Sequence, residues 1–184
     1  RIINLAPKGG TPDTYYRIMF EILGVEPKNI VNSGFSDLVG QMKDGMIEAG
    51  AGSGGSPFGP AIETEATHEI NLISFSDADM DKILAELPSW FKGKIKKEGF
   101  ECLTEDHPTL QYWNILITNK DLPEDLAYAL TKIFFENLDY FQDVYKPTMA
   151  TKPEDVLRSV IPIHPGAARY YKEIGVDIPA DKIM

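Results

Sequence analysis

Along the first hundred residues the apolar positions switch repeatedly between short continuous runs and spacings of three and four. Ile2 to Ala6 is a run of the first kind and predicts a strand, followed by a loop from Pro7 to Thr11. Pro12 to Leu23 places Tyr15, Ile18, Met19 and Ile22 on one face and predicts a helix. Gly24 ends it from the C′ position, where glycine takes a left-handed conformation at little cost. Asn29 to Asn32 predicts a second strand. The next helix has Ser36 as its cap, turns Leu38, Val39 and Met42 inward, and stops at Gly45. Ile47 to Ala51 predicts a third strand, leading into the glycine-rich loop Gly52 to Pro60 and a helix through about His68. A strand follows over Ile70 to Phe75, and Ser76 with Asp79 forms a capping box for a helix ending near Leu87. Strands alternating with helices predict an α/β fold built on a parallel sheet.

The periodicity fades after Pro88, and Trp90 to His107 reads as irregular. Leu110 to Thr118 predicts a strand. Pro123 then opens the longest helix, with Leu126, Leu130, Ile133, Phe134, Leu138 and Phe141 at helical spacing. Short helices punctuated by Pro147, Pro153, Pro162, Pro165 and Pro179 make up the remainder, with no repeat of solenoid period.

Charge narrows the function classes. The chain of 184 residues carries a formal net charge of −10, and its acidic surface repels phosphate backbones and anionic membrane faces. Nucleic acid and lipid headgroups are therefore poor partners. An anionic small molecule can bind only where local donors overrule the global field. Cys102, the single cysteine, has no internal disulfide partner. No apolar run approaches the roughly 20 residues that span a bilayer. Arg1 to Leu5 reads as a strand and not as a leader, so a preceding segment is expected to be missing.

One internal echo carries candidate chemistry. Gly9-Gly10-Thr11-Pro12 and Gly54-Gly55-Ser56-Pro57 share a glycine-glycine-hydroxyl-proline pattern between a strand and a helix. Thr11 or Ser56 suits the N-cap, and the proline suits the first helical position. Each junction would leave open N–H donors at a positive dipole end, suited to a carboxylate or phosphate. Lys8 adds a cation to the first. The plain alternative is a tidy strand-to-helix turn, the commoner outcome for a single instance of such a cap.

Two other motifs are weaker. Gly50 to Gly55 satisfies G-x-G-x-x-G after a strand, with Asp77 further on, so a dinucleotide-binding oxidoreductase is a rival reading. A helix starting within those glycines would place Pro57 and Pro60 in its interior, at about 3 kcal/mol each. The same prolines argue against Ser53 as the nucleophile of an esterase-like elbow completed by Asp106 and His107 or His164. The three histidines lack metal-ligand spacing and read as capping or hydrogen-bonding residues. No metal or cofactor is expected, and no nucleophile stands with a base. The chain reads as a binding protein and not as an enzyme. Tyr16 lies off its helix's apolar stripe, near the first loop, and is the aromatic expected to wall a cleft. Arg17 beside it reads as a solvated helix charge.

Several segments together resemble the TAXI family of substrate-binding proteins, which serve TRAP-type transporters. They are Pro7-Lys8-Gly9-Gly10-Thr11; Gly34-Phe35 with Lys43-Asp44-Gly45-Met46-Ile47-Glu48-Ala49; Gly55-Ser56-Pro57; Asp121-Leu122-Pro123 with Phe135-Glu136-Asn137-Leu138; and His164-Pro165-Gly166-Ala167 with Arg169-Tyr170-Tyr171-Lys172-Glu173. The last is the most specific. The resemblance implies a periplasmic-binding-protein type II-like α/β lobe with a parallel-rich sheet and flanking helices. Residues 1–108 would be the second ligand-binding lobe, and residues 109–184 a helical return segment packing on a first lobe. It implies a secreted or periplasmic protein that delivers a small organic acid, such as glutamate or a 2-oxo dicarboxylate, to a TRAP-type membrane permease. Lys8, Gly9, Gly10 and Thr11 would hold one anionic group, and Ser53, Gly54, Gly55, Ser56 and Pro57 another. With the first lobe absent, self-association through the uncovered surface is expected.

Overall fold

The computed structural model describes residues 2–184, which fall into two compact units that divide between Trp113 and Asn114. In the first unit, β1 (Ile2–Asn4) leads into α1 (Thr11–Leu23), β2 (Asn29–Val31), α2 (Phe35–Lys43) and β3 (Ala49–Gly50). The three strands are parallel in the order β2-β1-β3, with Ile3 opposite Ile30 on one side and Ala49 on the other. The central strand is paired on both edges; Ile2 and Ile3 are half-buried, and Asn4 with the following Leu5 and Ala6 is fully buried. Ala6, Leu38 and Ile47 form the core, with Ile2, Val31, Phe35 and Met42 against it. Gly24 closes α1 with φ +65°, the left-handed cap that the sequence predicts. The α/β expectation with a parallel, helix-flanked sheet holds.

The chain then departs from the expected pattern. After α3 (Gly59–Glu65), Ile70 to Phe75 forms no strand. Ile73 is 82% exposed, and the hydroxyl of Ser74 donates to the carbonyl of its neighbour Phe75 at 3.3 Å and to the Pro108 carbonyl at 3.4 Å. An apolar run becomes a strand only where a ladder partner lies beside it, which periodicity does not report. The Ser76 cap of α4 (Asp77–Glu86) is present, its hydroxyl accepting the Asp79 N–H at 3.1 Å. The stretch expected to be irregular instead contains β4 (Trp90–Ile95), antiparallel to β5 (His107–Tyr112). Exposed Lys92 and Lys94 alternate with half-buried neighbours along β4. Trp90 lies directly opposite Tyr112, their rings 4.8 Å apart, and Tyr15 of α1 reaches Trp90 at 4.6 Å. Such cross-strand aromatic pairs bind a hairpin to itself and to the helix above. The strand expected to run to Thr118 ends at Tyr112. Ile115, Leu116 and Ile117 continue without a ladder and are exposed. The compact units divide after Trp113.

The second unit contains α5 (Glu124–Glu136), α6 (Leu138–Val144) and α7 (Pro165–Glu173). One helix was expected through Phe141. It breaks at Asn137, which sits at φ −116°, ψ +26° and donates its side-chain amide to the Ile133 carbonyl at 2.8 Å. Asparagine competes for backbone acceptors in this way and weakens a helix interior. α7 packs closely on α5. A Cβ on Gly166 would lie 2.1 Å from the Glu124 carbonyl oxygen, so glycine alone fits. His164 caps α7: its Nδ1 accepts the Gly166 N–H at 3.2 Å, and its Nε2 donates to the Leu122 carbonyl at 2.9 Å. Arg169 covers the Tyr128 ring at 4.3 Å and pairs with Asp125, while Tyr170 is buried. The segment that carries the most specific part of the resemblance is therefore a clamp between two helices. Leu126, Leu130 and Ile133 on α5 remain exposed.

Candidate functional site

With β1 central and connections leaving towards β2 and β3 on opposite sides, the strand order reverses at β1/β3, where ligands of open α/β sheets bind beyond the carboxyl ends. The segments leaving β1 (Leu5–Gly10) and β3 (Ala51–Phe58) border this crevice.

The first loop is tightly held. Ala6 has φ +57°, a left-handed conformation that costs an alanine roughly 1–2 kcal/mol. Two asparagines offset that cost. Buried Asn4 accepts the Ala6 N–H at 2.8 Å and donates to Ser33 Oγ at 2.7 Å and Gln41 Oε1 at 2.8 Å. Asn32, just past β2, donates to the Ala6 carbonyl at 2.9 Å. Gly10 N–H closes a turn onto the Pro7 carbonyl at 3.0 Å.

Gly9 N–H donates to Asp13 Oδ2 at 2.9 Å, and the other carboxylate oxygen accepts from Arg17 Nε at 2.7 Å and Asn32 Nδ2 at 3.0 Å. Asp13 is buried, and these partners hold its carboxyl below the usual range. The Gly9 N–H is the largest cause, burial opposes it, and Arg17 and Asn32 add to the lowering. The anion cradle expected of Gly9 and Gly10 is thus occupied by the chain's own carboxylate and carbonyl. Nor does Thr11 cap the helix: Gly10 is the N-cap, without a side-chain bond, and Thr11 is the first helical residue. What the loop still offers are the Thr11 N–H and hydroxyl and the exposed Lys8, which has no acidic partner among the described residues.

A group whose folded pKa lies below its unfolded value stabilises the fold fully above the unfolded value and loses that contribution as pH falls through the folded one. Asp13→Asn should cost about 1–2 kcal/mol at neutral pH, the worth of its charge-assisted hydrogen bonds. The gap to the parent chain should narrow once pH drops below 3.8, the ordinary value for this carboxyl. Urea titrations of both proteins across that range read it directly. A gap that stayed constant would refute the assignment.

The second junction does not match the first. α3 begins at Gly59 with Phe58 as its N-cap, so Ser56 caps nothing, and Pro57 follows a cis bond outside the helix. The Phe58 ring covers the glycines: a Cβ on Gly52 would lie 2.4 Å from it, and one on Gly54 2.9 Å. Phe58 in turn meets Phe35 edge-on at 5.4 Å. These glycines admit a phenyl ring where a dinucleotide fingerprint needs a helix start, so that rival reading fails on geometry. An elbow at Ser53 fails for the same reason. Ser53 is half-buried and Ser56 exposed, and neither hydroxyl has a partner among the described residues.

Tyr16 lies edge-on to Phe20 at 6.1 Å, and burial, then the nearby Tyr112, pushes its hydroxyl pKa up. It belongs with the aromatic group between α1 and the β4–β5 hairpin. Sequence reasoning missed Asn4, Asp13 and Asn32. An acidic residue in a helix's first turn was the available signal for Asp13. Asn4, a lone amide in an apolar strand, was the other. A shallow cleft of about 490 Å³, lined by Glu65, His68, Glu69, Glu101 and Cys102, is too acidic to receive an anion. Its thiol is pushed up by burial and Glu65. Among the described residues, no cluster of His, Cys, Asp and Glu suits a metal ion.

The model of the NMT1-like family matches residues 1–175, and the chain belongs to that family. Its members are periplasmic-binding-protein-like, which makes this a solute-binding domain with a small-molecule ligand and a transporter as its general partner. Such families are typically extracytoplasmic, and no helix among the described residues is long and apolar enough to cross a membrane.

Proposed function

From the chain's place in the NMT1-like family, we propose that it is an extracytoplasmic receptor of the TAXI type, gripping a small organic acid for a TRAP-type permease. In this reading residues 1–113 are the ligand-gripping lobe and residues 114–184 the return segment. The observation that carries it is the sheet's switch point, bordered by one loop with the Lys8 ammonium and the Thr11 N–H and hydroxyl, and another with the Ser53 and Ser56 hydroxyls, none of them with a partner among the described residues. In a chain of net charge −10, an unpaired cation beside open hydroxyls is a local reversal of sign suited to a carboxylate. Lys8 and Thr11 hold one end of the ligand, and Ser53 and Ser56 the other. The exposed Ile115–Ile117 segment and the outer face of α5 give self-association a surface. Calorimetry against glutamate, 2-oxoglutarate and succinate tests the acid reading. Heat of binding that disappears in Lys8→Ala supports it, and no heat from any of the three with the fold intact removes it.

A further inference from the structure

Resting on the reading of an acid ligand, we propose that Arg17 is the group that reads the ligand's carboxylate, in place of the glycine N–H donors. Those donors are taken, Gly9 by Asp13 and Gly10 by Pro7. Arg17 has donors to spare. A guanidinium carries five N–H bonds. One goes from Nε to Asp13 at 2.7 Å and one from a terminal nitrogen to Asn32 at 3.4 Å, which leaves three without an acceptor among the described residues. The side chain is 47% exposed, so those three are open to an incoming anion.

The network around it fixes the guanidinium. Asp13 is anchored by Gly9 N–H, and Asn32 by the Ala6 carbonyl and Asp13 itself. Ala6 follows β1 and Asn32 follows β2, so Arg17 stands over the carboxyl ends of two adjacent strands. The rotamer entropy that a free arginine loses on binding is already lost here. A planar donor pair on the terminal nitrogens remains for a bidentate carboxylate. Asp13 cancels the charge of Arg17, so binding there demands donor geometry and not a bare cation. Lys8, next to Gly9, supplies the net positive charge.

The test separates this inference from the acid reading. Succinate and its neutral isostere succinamide are titrated into the full chain, with binding read by calorimetry and guanidinium resonances by ¹⁵N NMR. Succinate should bind and move the Arg17 signals, and succinamide should do neither. Arg17→Gln should weaken succinate about 10- to 100-fold, as expected for lost charge-assisted hydrogen bonds. Arg17→Lys, which keeps the charge and the pairing with Asp13 but not the fork, should recover only part of that. Thermal melts confirm that both variants remain folded. If succinate binds equally to the parent and Arg17→Gln, or leaves the Arg17 signals unmoved, Arg17 is a helix charge and the inference is wrong while the acid reading stands. If succinate and succinamide bind alike, both fail.

Discussion

Gly166→Val is expected to unfold the Asn114–Met184 unit while leaving the parallel sheet intact. A Cβ at that position falls 2.1 Å from the Glu124 carbonyl oxygen and 2.9 Å from the Tyr128 nitrogen. Both are backbone atoms of α5, which cannot retreat without breaking its first turns. Overpacking that side chains can absorb costs about 1–3 kcal/mol. Here no side chain is available to move, and the loss should be about 3 kcal/mol or more. His164 would lose its grip too, because its ring accepts the N–H of the substituted residue and donates to Leu122. Hydrogen exchange followed by mass spectrometry reads the outcome by segment. Protection should vanish across α5 and α7 and persist across β1, β2 and β3. Retained protection in α7 would show that the two helices can separate and still hold their fold.

The second large effect is expected at the other unit's centre. Asn4→Ala removes one acceptor and two donors from a fully buried position. The N–H of Ala6 is left without an acceptor in a place water does not reach, at about 1–3 kcal/mol. Asn4 is also half of what holds Ala6 in its left-handed conformation, so the strained turn should relax. About 3 kcal/mol in total is expected from urea denaturation. Asn4→Asp should be no milder, since it sets a charge among neighbours that Asn4 now serves as a donor. If either variant matched the parent chain, the loop after β1 would be held by something other than this amide.

Much of the first unit was legible because its signals are local. Gly24 ends α1 from its own sequence position, and the capping box at Ser76 needs only the residue three places on. What was not legible depends on a distant partner. Ile70 to Phe75 has the composition of a strand and no neighbour to pair with, while the lysine-bearing β4 becomes a strand because β5 lies beside it. The candidate site shows the same limit. The glycine-glycine-hydroxyl-proline echo was real in the chain, but one copy folds against its own aspartate and the other under a phenyl ring. A side chain that turns back four residues to occupy a donor leaves no mark in a hydrophobic pattern. Arg17 read as a solvated charge for the same reason: its contact with Asn32 reaches across the rest of a helix and a strand.

The ring contacts of α1 have a spectroscopic consequence. Trp90 sits against Tyr15 at 4.6 Å and Tyr112 at 4.8 Å, and Trp113 lies on Phe91 at 5.0 Å. At such distances excitation absorbed by either tyrosine passes to the Trp90 indole, whose emission then reports the packing of the helix that also carries Thr11 and Arg17. The chain thus holds a built-in lamp one turn from its candidate grip. Both of its indoles, Trp90 and Trp113, lie in the first unit.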